Sequence, residues 1–328
     1  MPTLAQSYLF KPNNLYMRPV IIDNTQNQNS LSDYQILLIL DTASLISAGK
    51  MRSDCGDIRF TDSDGVTLLN HWIETYTINT SSTKIWVKVP SIPAGSKKTI
   101  YLYYGNLALT SISNGDAVFP FFDDFDDGTL NTGKWSKTEQ YGVTYSERDG
   151  CAVFSGTSTT ASFWQALASI TTINSFTPPF IVRARKKSLS GSGTGYHIHV
   201  LLRYSSSSLT SYYEGYDSGW SPYYMRRKLI DTTDSLVEGI SSSQLGADEI
   251  WDVVVTSTQT MWYVDGVLKS TDSKSWTSAN LVLYGRARYS GDNVTAMFDY
   301  VFIRKYTSPE PTISLGSETY IARLPDSI

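Results

Sequence analysis

Met261-Trp262-Tyr263-Val264-Asp265-Gly266-Val267-Leu268-Lys269 is the stretch that decides the fold class. Two short runs rich in strand-favouring residues flank Asp265-Gly266, a pair suited to the positive φ angles of a two-residue turn, so the segment predicts a β-hairpin. The same period of two recurs outward from it. Lys84 to Pro90 sets Ile85, Val87 and Val89 on one face, and Lys98 to Tyr104 alternates in the same way before Gly105-Asn106. Phe180 to Lys186, His197 to Tyr204, Trp251 to Thr256 and Thr295 to Tyr306 repeat it, with Ser, Gly, Asn and Asp clusters between them. No window sustains a long apolar period of 3.6 residues. Many short strands with close turn signals predict an all-β chain of two tandem β-sandwich, jelly-roll-like domains.

At 328 residues the chain exceeds the usual size of one domain. Its 41% hydrophobic and 18% charged residues, with 8 Trp, 22 Tyr and 12 Phe, exclude intrinsic disorder. A net charge of -4 without a basic cluster argues against a nucleic-acid partner. The longest apolar run, Ile36 to Leu40, is too short to cross a bilayer as a helix, so no integral membrane segment is expected. Cys55 and Cys151 have neither zinc-ligand nor disulfide-framework spacing and read as buried free thiols. Composition shifts divide the chain into an N-terminal segment (1–15), a first domain (16–118), a second domain (119–308) and an irregular C-terminal tail (309–328) marked by Pro309, Pro311 and Pro325. Met1 to Asn14 lacks the basic start and apolar centre of a signal peptide. An extracellular, cell-surface or virion setting is expected on the family resemblances below, with Asn79-Thr80-Ser81 and Asn293-Val294-Thr295 as glycosylation-type triplets.

Arg18-Pro19-Val20-Ile21, Asp57 to Gly65, Trp72-Ile73-Glu74, Ile85 to Gly95 and Ile100 to Asn106 make the first domain resemble the DUF2341 family over most of residues 16–118. The second domain resembles the concanavalin A-like lectin/glucanase superfamily, near its laminin-G-like branch. Phe122-Asp123-Asp124-Phe125 with Trp135, the Tyr263 to Val267 hairpin, and the closing run Phe298 to Arg304 carry that likeness. The resemblance implies two modules that occur together in archaeal and bacterial surface or secreted proteins. It supplies no reaction.

Asp123, Asp124, Asp126 and Asp127 with Gly128 offer carboxylates and free carbonyls within one loop, the donor set of a hard cation such as Ca2+. The resemblance adds Asp299 on the last strand and favours Asp124 with Asp299 as a structural calcium pair. Asp62-Ser63-Asp64-Gly65 looks like the start of an EF-hand loop, but Val66 and Ile73 stand where ligands belong, so a hairpin turn with Gly65 at positive φ is expected.

His197, His199 and Arg203 share one face of a strand, and Arg183 and Arg185 share one face of the strand before it. If those strands are neighbours they form one polar face beside Tyr212, Tyr213, Tyr216, Trp220, Tyr223 and Tyr224. Sugars stack their C–H faces on aromatic rings and hydrogen-bond planar polar groups, so Arg183, Arg185, His197, His199, Arg203, Tyr213, Tyr216 and Trp220 form the candidate glycan face. Glu-x-Asp-x-x-Glu, Gly-x-Ser-x-Gly and His-Glu-x-x-His are absent, so no catalytic residues are assigned. Asp248, Glu214 and Asp252 are the carboxylates a glycoside hydrolase would have to use, and Glu214 and Asp217 fall on opposite faces if their segment is extended. The expectation is a non-enzymatic adhesion or recognition protein for carbohydrate or a surface glycan. The alternative is a self-associating subunit of a surface layer, filament or virion.

Overall fold

A computed structural model describes residues 15–204 and 208–321 and divides them into two compact units, residues 15–120 with 307–321, and residues 121–306. The expected boundary near residue 118 falls within two residues of this division. Residues 1–14 of the predicted N-terminal segment, and Pro325 of the tail, lie outside the described residues.

Unit 1 opens with seven strands: β1 (Leu15–Asp23), β2 (Leu31–Leu40), β3 (Arg59–Thr61), β4 (Leu68–Leu69), β5 (His71–Ile73), β6 (Thr83–Ile92) and β7 (Lys97–Tyr104). β2, β6 and β5 form one sheet, and β1, β7, β3 and β4 belong to the other. Alternation buries Ile36 and Leu38 from β2, Val87 and Val89 from β6, Val20 and Ile22 from β1, and Ile100 and Leu102 from β7 in one core. The Asp62 to Gly65 segment is the predicted turn. Gly65 has φ +70, and Asp64 accepts the backbone N–H of Val66 and Thr67, so its carboxylate serves the turn.

Unit 2 contains β8 (Phe121–Asp123), β9 (Trp135–Gln140), β10 (Val143–Arg148), β11 (Cys151–Thr157), β12 (Ala166–Thr172), β13 (Phe180–Ser192), β14 (Gly195–Arg203) and β15 (Leu209–Asp217). It continues with β16 (Tyr224–Ile230), β17 (Thr233–Gly239), β18 (Glu249–Val255), β19 (Gln259–Val264), β20 (Val267–Ser273), β21 (Asn280–Ala287) and β22 (Asn293–Lys305). Their pairing order is β17-β16-β15-β14-β21-β12-β9-β10-β11-β22-β13-β18-β19-β20, with β8 on β22. β9 and β10 meet through one residue pair, Gln140 with Val143, where the sheet folds over to make two layers. Ile198, Val200 and Leu202 from one layer meet Val182, Ala184, Trp251 and Val253 from the other in a common core. The Asp265-Gly266 turn between β19 and β20 has φ +49 and +77, as the hairpin reading requires.

The C-terminal tail is a correction to the expected division. β23 (Thr312–Leu315) and β24 (Thr319–Ile321) both pair with β1, so the chain returns to unit 1 after unit 2. Pro309 and Pro311 stand just before β23, where proline removes no ladder hydrogen bond, and alternation over four and three residues is too short to read.

Candidate functional site

In unit 2 a cavity of about 240 Å³ opens on the outward face of the layer containing β14, β15 and β16. Phe163, Trp164, His197, Tyr213, Asp217, Trp220, Met225, Arg227, Asp234 and Arg286 line it. The lining follows from alternation. Core-facing Ile198, Tyr212 and Leu283 leave His197, Tyr213 and Arg286 pointing outward on three strands, with His197 paired to Arg286 across β14 and β21. Gly215 makes room for the imidazole, because a Cβ there would lie 1.9 Å from His197 Cδ2.

Aromatic rings build the walls. His197 stacks on Trp164 at 4.0 Å, and His199 lies between Tyr213 at 4.4 Å and Tyr284 at 4.0 Å. Arg227 covers one face of Trp220 at 4.0 Å. The Arg286 guanidinium sits 4.7 Å from the Trp164 ring centre. Phe163 and Trp220 keep 49% and 42% of their surface exposed at the rim, which leaves ring area for a ligand.

The charges are mostly matched. Arg227 donates to Asp234 at 2.9 Å, and the Tyr213 hydroxyl donates to the same carboxylate at 2.7 Å. Arg288 pairs with Asp217. Burial, and then the neighbouring Arg286, Arg227 and Arg288, hold His197 well below the usual histidine range, so its ring is neutral at pH 7. Burial does the same to His199, whose Nδ1 is bonded to the Ser211 hydroxyl at 2.9 Å.

Of the eight expected glycan-face residues, His197, Tyr213 and Trp220 line the cavity, and His199 lies buried beneath, packed on Tyr213. Tyr216 instead packs towards the core beside Tyr196 and Tyr224. Arg203 is exposed at the end of β14 and does not line the cavity. Arg183 and Arg185 are corrected. β13 pairs with β18 and β22, not with β14, so both arginines face outward from the other layer. There Arg183 is bound by Asp252 at 2.8 Å, and Arg185 by Asp248 and by Asp299 at 2.6 Å. The candidate hydrolase carboxylates separate accordingly. Asp248 and Asp252 are neutralised by these arginines and Glu214 is buried in the core, so none of the three lines the cavity, whereas Asp217 does. Phe163, Trp164, Asp234 and Arg286 were not singled out from sequence. Arg286 carried a legible signal, since Tyr284 and Arg286 alternate with Leu283 and Ala287, but its strand partner is set by a connection of many residues.

The expected calcium cage is assembled only in part. Asp123 accepts the Trp135 indole at 2.7 Å and the Phe125 amide at 3.1 Å, and Asp299 has its counter-charge in Arg185. Gly128 takes φ +71 as a turn residue. Among the described residues no group of three or more His, Cys, Asp or Glu is placed to hold a metal. Burial and then Asp126 push the Asp124 carboxyl up to about 6, and burial and then Asp299 raise Asp126. Cys55 and Cys151 are free and buried, as expected. Among the described residues no helix is long and apolar enough to cross a membrane.

Residues 54–138 match the model of the family described as "Domain of unknown function (DUF2341)". That span begins later and ends later than the resemblance read from the sequence. Over 89 residues the chain is 39% identical to "Uncharacterized protein 562" of Sulfolobus islandicus rod-shaped virus 1, a match covering 26% of this chain and 15% of that protein. Solved structures similar to this chain include one from work on endo-acting O-glycanases of human gut microbiota that initiate mucin breakdown, at TM-score 0.45 and 10% identity, covering 58% of this chain and 100% of that one. Another is the endo-beta-1,3-glucanase of Pyrococcus furiosus, at TM-score 0.39 and 15% identity, covering 58% and 95%. A third is a beta-1,3-1,4-glucanase (lichenase) from a mouse hindgut metagenome, at TM-score 0.42 and 15% identity, covering 56% and 98%. The expectation of a chain without enzymatic activity is corrected here, because the structures it is similar to are those of glycoside hydrolases. At these identities they show the fold alone.

Proposed function

We propose that unit 2 binds carbohydrate in the cavity between Trp164 and Trp220. The observation that supports this best is a concave site whose walls are aromatic and whose floor carries planar polar groups, His197, Arg227, Arg286 and two carboxylates. Its volume of about 240 Å³ lies below the roughly 300–1,000 Å³ of sites for drug-sized ligands, which suits one sugar ring with the rest of a chain lying across the rim. Adhesion or recognition at an extracellular, cell-surface or virion location is the setting proposed for this binding. Calcium is proposed for the acidic loop, with Asp124 and Asp126 as the carboxylates whose charge it would balance. A glycan array with the purified chain, alongside light scattering, tests the reading. Saturable binding by a monomer is expected. An empty array with concentration-dependent assembly would contradict it and favour the structural-subunit alternative.

A further inference from the structure

Two polar groups in the cavity are unmatched while the charges around them are paired. His197 is 3% exposed, and both of its ring nitrogens are buried without a hydrogen-bond partner. Arg286 is held by ring faces, at 4.7 Å from Trp164, 5.9 Å from Tyr213 and 6.0 Å from Tyr284, and its buried Nε has no partner. The other arginines here have carboxylates of their own, Arg227 with Asp234 and Arg288 with Asp217. The site therefore holds one cation beyond its two anions, in a place partly withdrawn from water, beside a neutral imidazole able to donate one hydrogen bond.

We infer that the cavity selects a sugar bearing an oxyanion, a carboxylate or a sulfate, and that Arg286 is the residue that recognises it. The inference rests on the carbohydrate reading above and specifies its ligand. A guanidinium presents parallel N–H donors that match the two oxygens of a carboxylate or sulfate, and such charge-assisted bonds are about twice as strong as neutral ones. The His197 ring N–H adds a donor to a further ligand oxygen. A neutral sugar would leave the Arg286 charge unmatched, whereas an anionic one completes the pairing that the neighbouring arginines already have.

Ligand-observed NMR and calorimetry with glucuronate and galacturonate, their neutral parents glucose and galactose, and the 6-sulfates of those parents test this on the wild-type chain. At least one anionic series should bind about tenfold or more tightly than its neutral parents, weaken with added NaCl, and lose the advantage in Arg286→Gln. Preference for the uronates assigns a carboxylate, and preference for the sulfates assigns a sulfate ester. Neutral and anionic sugars binding alike would overturn the inference and leave carbohydrate binding standing. Binding of none of them, together with an empty array, would overturn both. The wild-type comparison decides the matter even if Arg286→Gln fails to fold.

Discussion

Asp124 shows how one side chain links the acidic loop to solution behaviour. Its carboxyl is held at about 6, above the ordinary value of 3.8, by burial and by Asp126. Between those two values the folded chain binds more protons than the unfolded one, so this group makes stability fall as pH rises from about 4 to about 6. Without added metal, Asp124→Asn should raise the melting temperature at pH 7 and flatten that part of the pH profile. Calcium should stabilise the wild type at pH 7 and lose its effect in the variant. A melting temperature indifferent to both calcium and chelator would refute the calcium assignment. The acidic loop was legible from composition alone. What was not legible is that Trp135 and Arg185 already serve Asp123 and Asp299, since those partners come from other strands.

Among the elements, β13, β15, β16 and β18 carry a buried feature that side-chain charge alone would place on the surface. Lys186, Glu214, Arg226 and Glu249 are all buried and form one ionic cluster inside unit 2. Lys186 also donates to the Leu245 carbonyl at 3.1 Å at the end of the short helix Ser242–Leu245, and the Trp251 indole donates to Glu249 at 3.0 Å. Burial lowers Lys186 to about 8, which leaves it charged at pH 7. Removing one member leaves uncompensated buried charge, so Lys186→Met should cost about 3–5 kcal/mol in urea unfolding. Adding Glu214→Gln should recover part of that loss, because the two sites share the cluster. A single-variant cost under about 1 kcal/mol would show that the cluster is solvated or rearranged. The strands themselves were legible because each buries every second residue. Lys186 obeys the same alternation, facing inward two residues after core-facing Ala184 and opposite Glu249 of β18, but its charge reads as a surface residue until its carboxylate partners on β15 and β18 are in place.

At the scale of the molecule, the all-β class and the division near residue 120 follow from periodicity and composition, whereas strand order does not. Arg183 and Arg185 directly precede the His197 strand in sequence, yet the pairing of β13 with β18 and β22 sends them to the opposite layer. The return of β23 and β24 to β1 was hidden for the same reason, since hundreds of residues separate the partners. This topology gives unit 2 two outward faces of different character. One has arginines neutralised by Asp252, Asp248 and Asp299, and the other has a cavity with aromatic walls. The central claim is that carbohydrate binds at the second face. Calorimetry of the strongest array ligand against the wild type, Trp220→Ala and Arg183→Gln tests it most directly. The account predicts about tenfold weakening in Trp220→Ala and unchanged affinity in Arg183→Gln, tenfold being about 1.4 kcal/mol, near the top of the roughly 0.5–1.5 kcal/mol scale of aromatic contacts. Unchanged affinity in Trp220→Ala with a loss in Arg183→Gln would place binding on the other layer and contradict it.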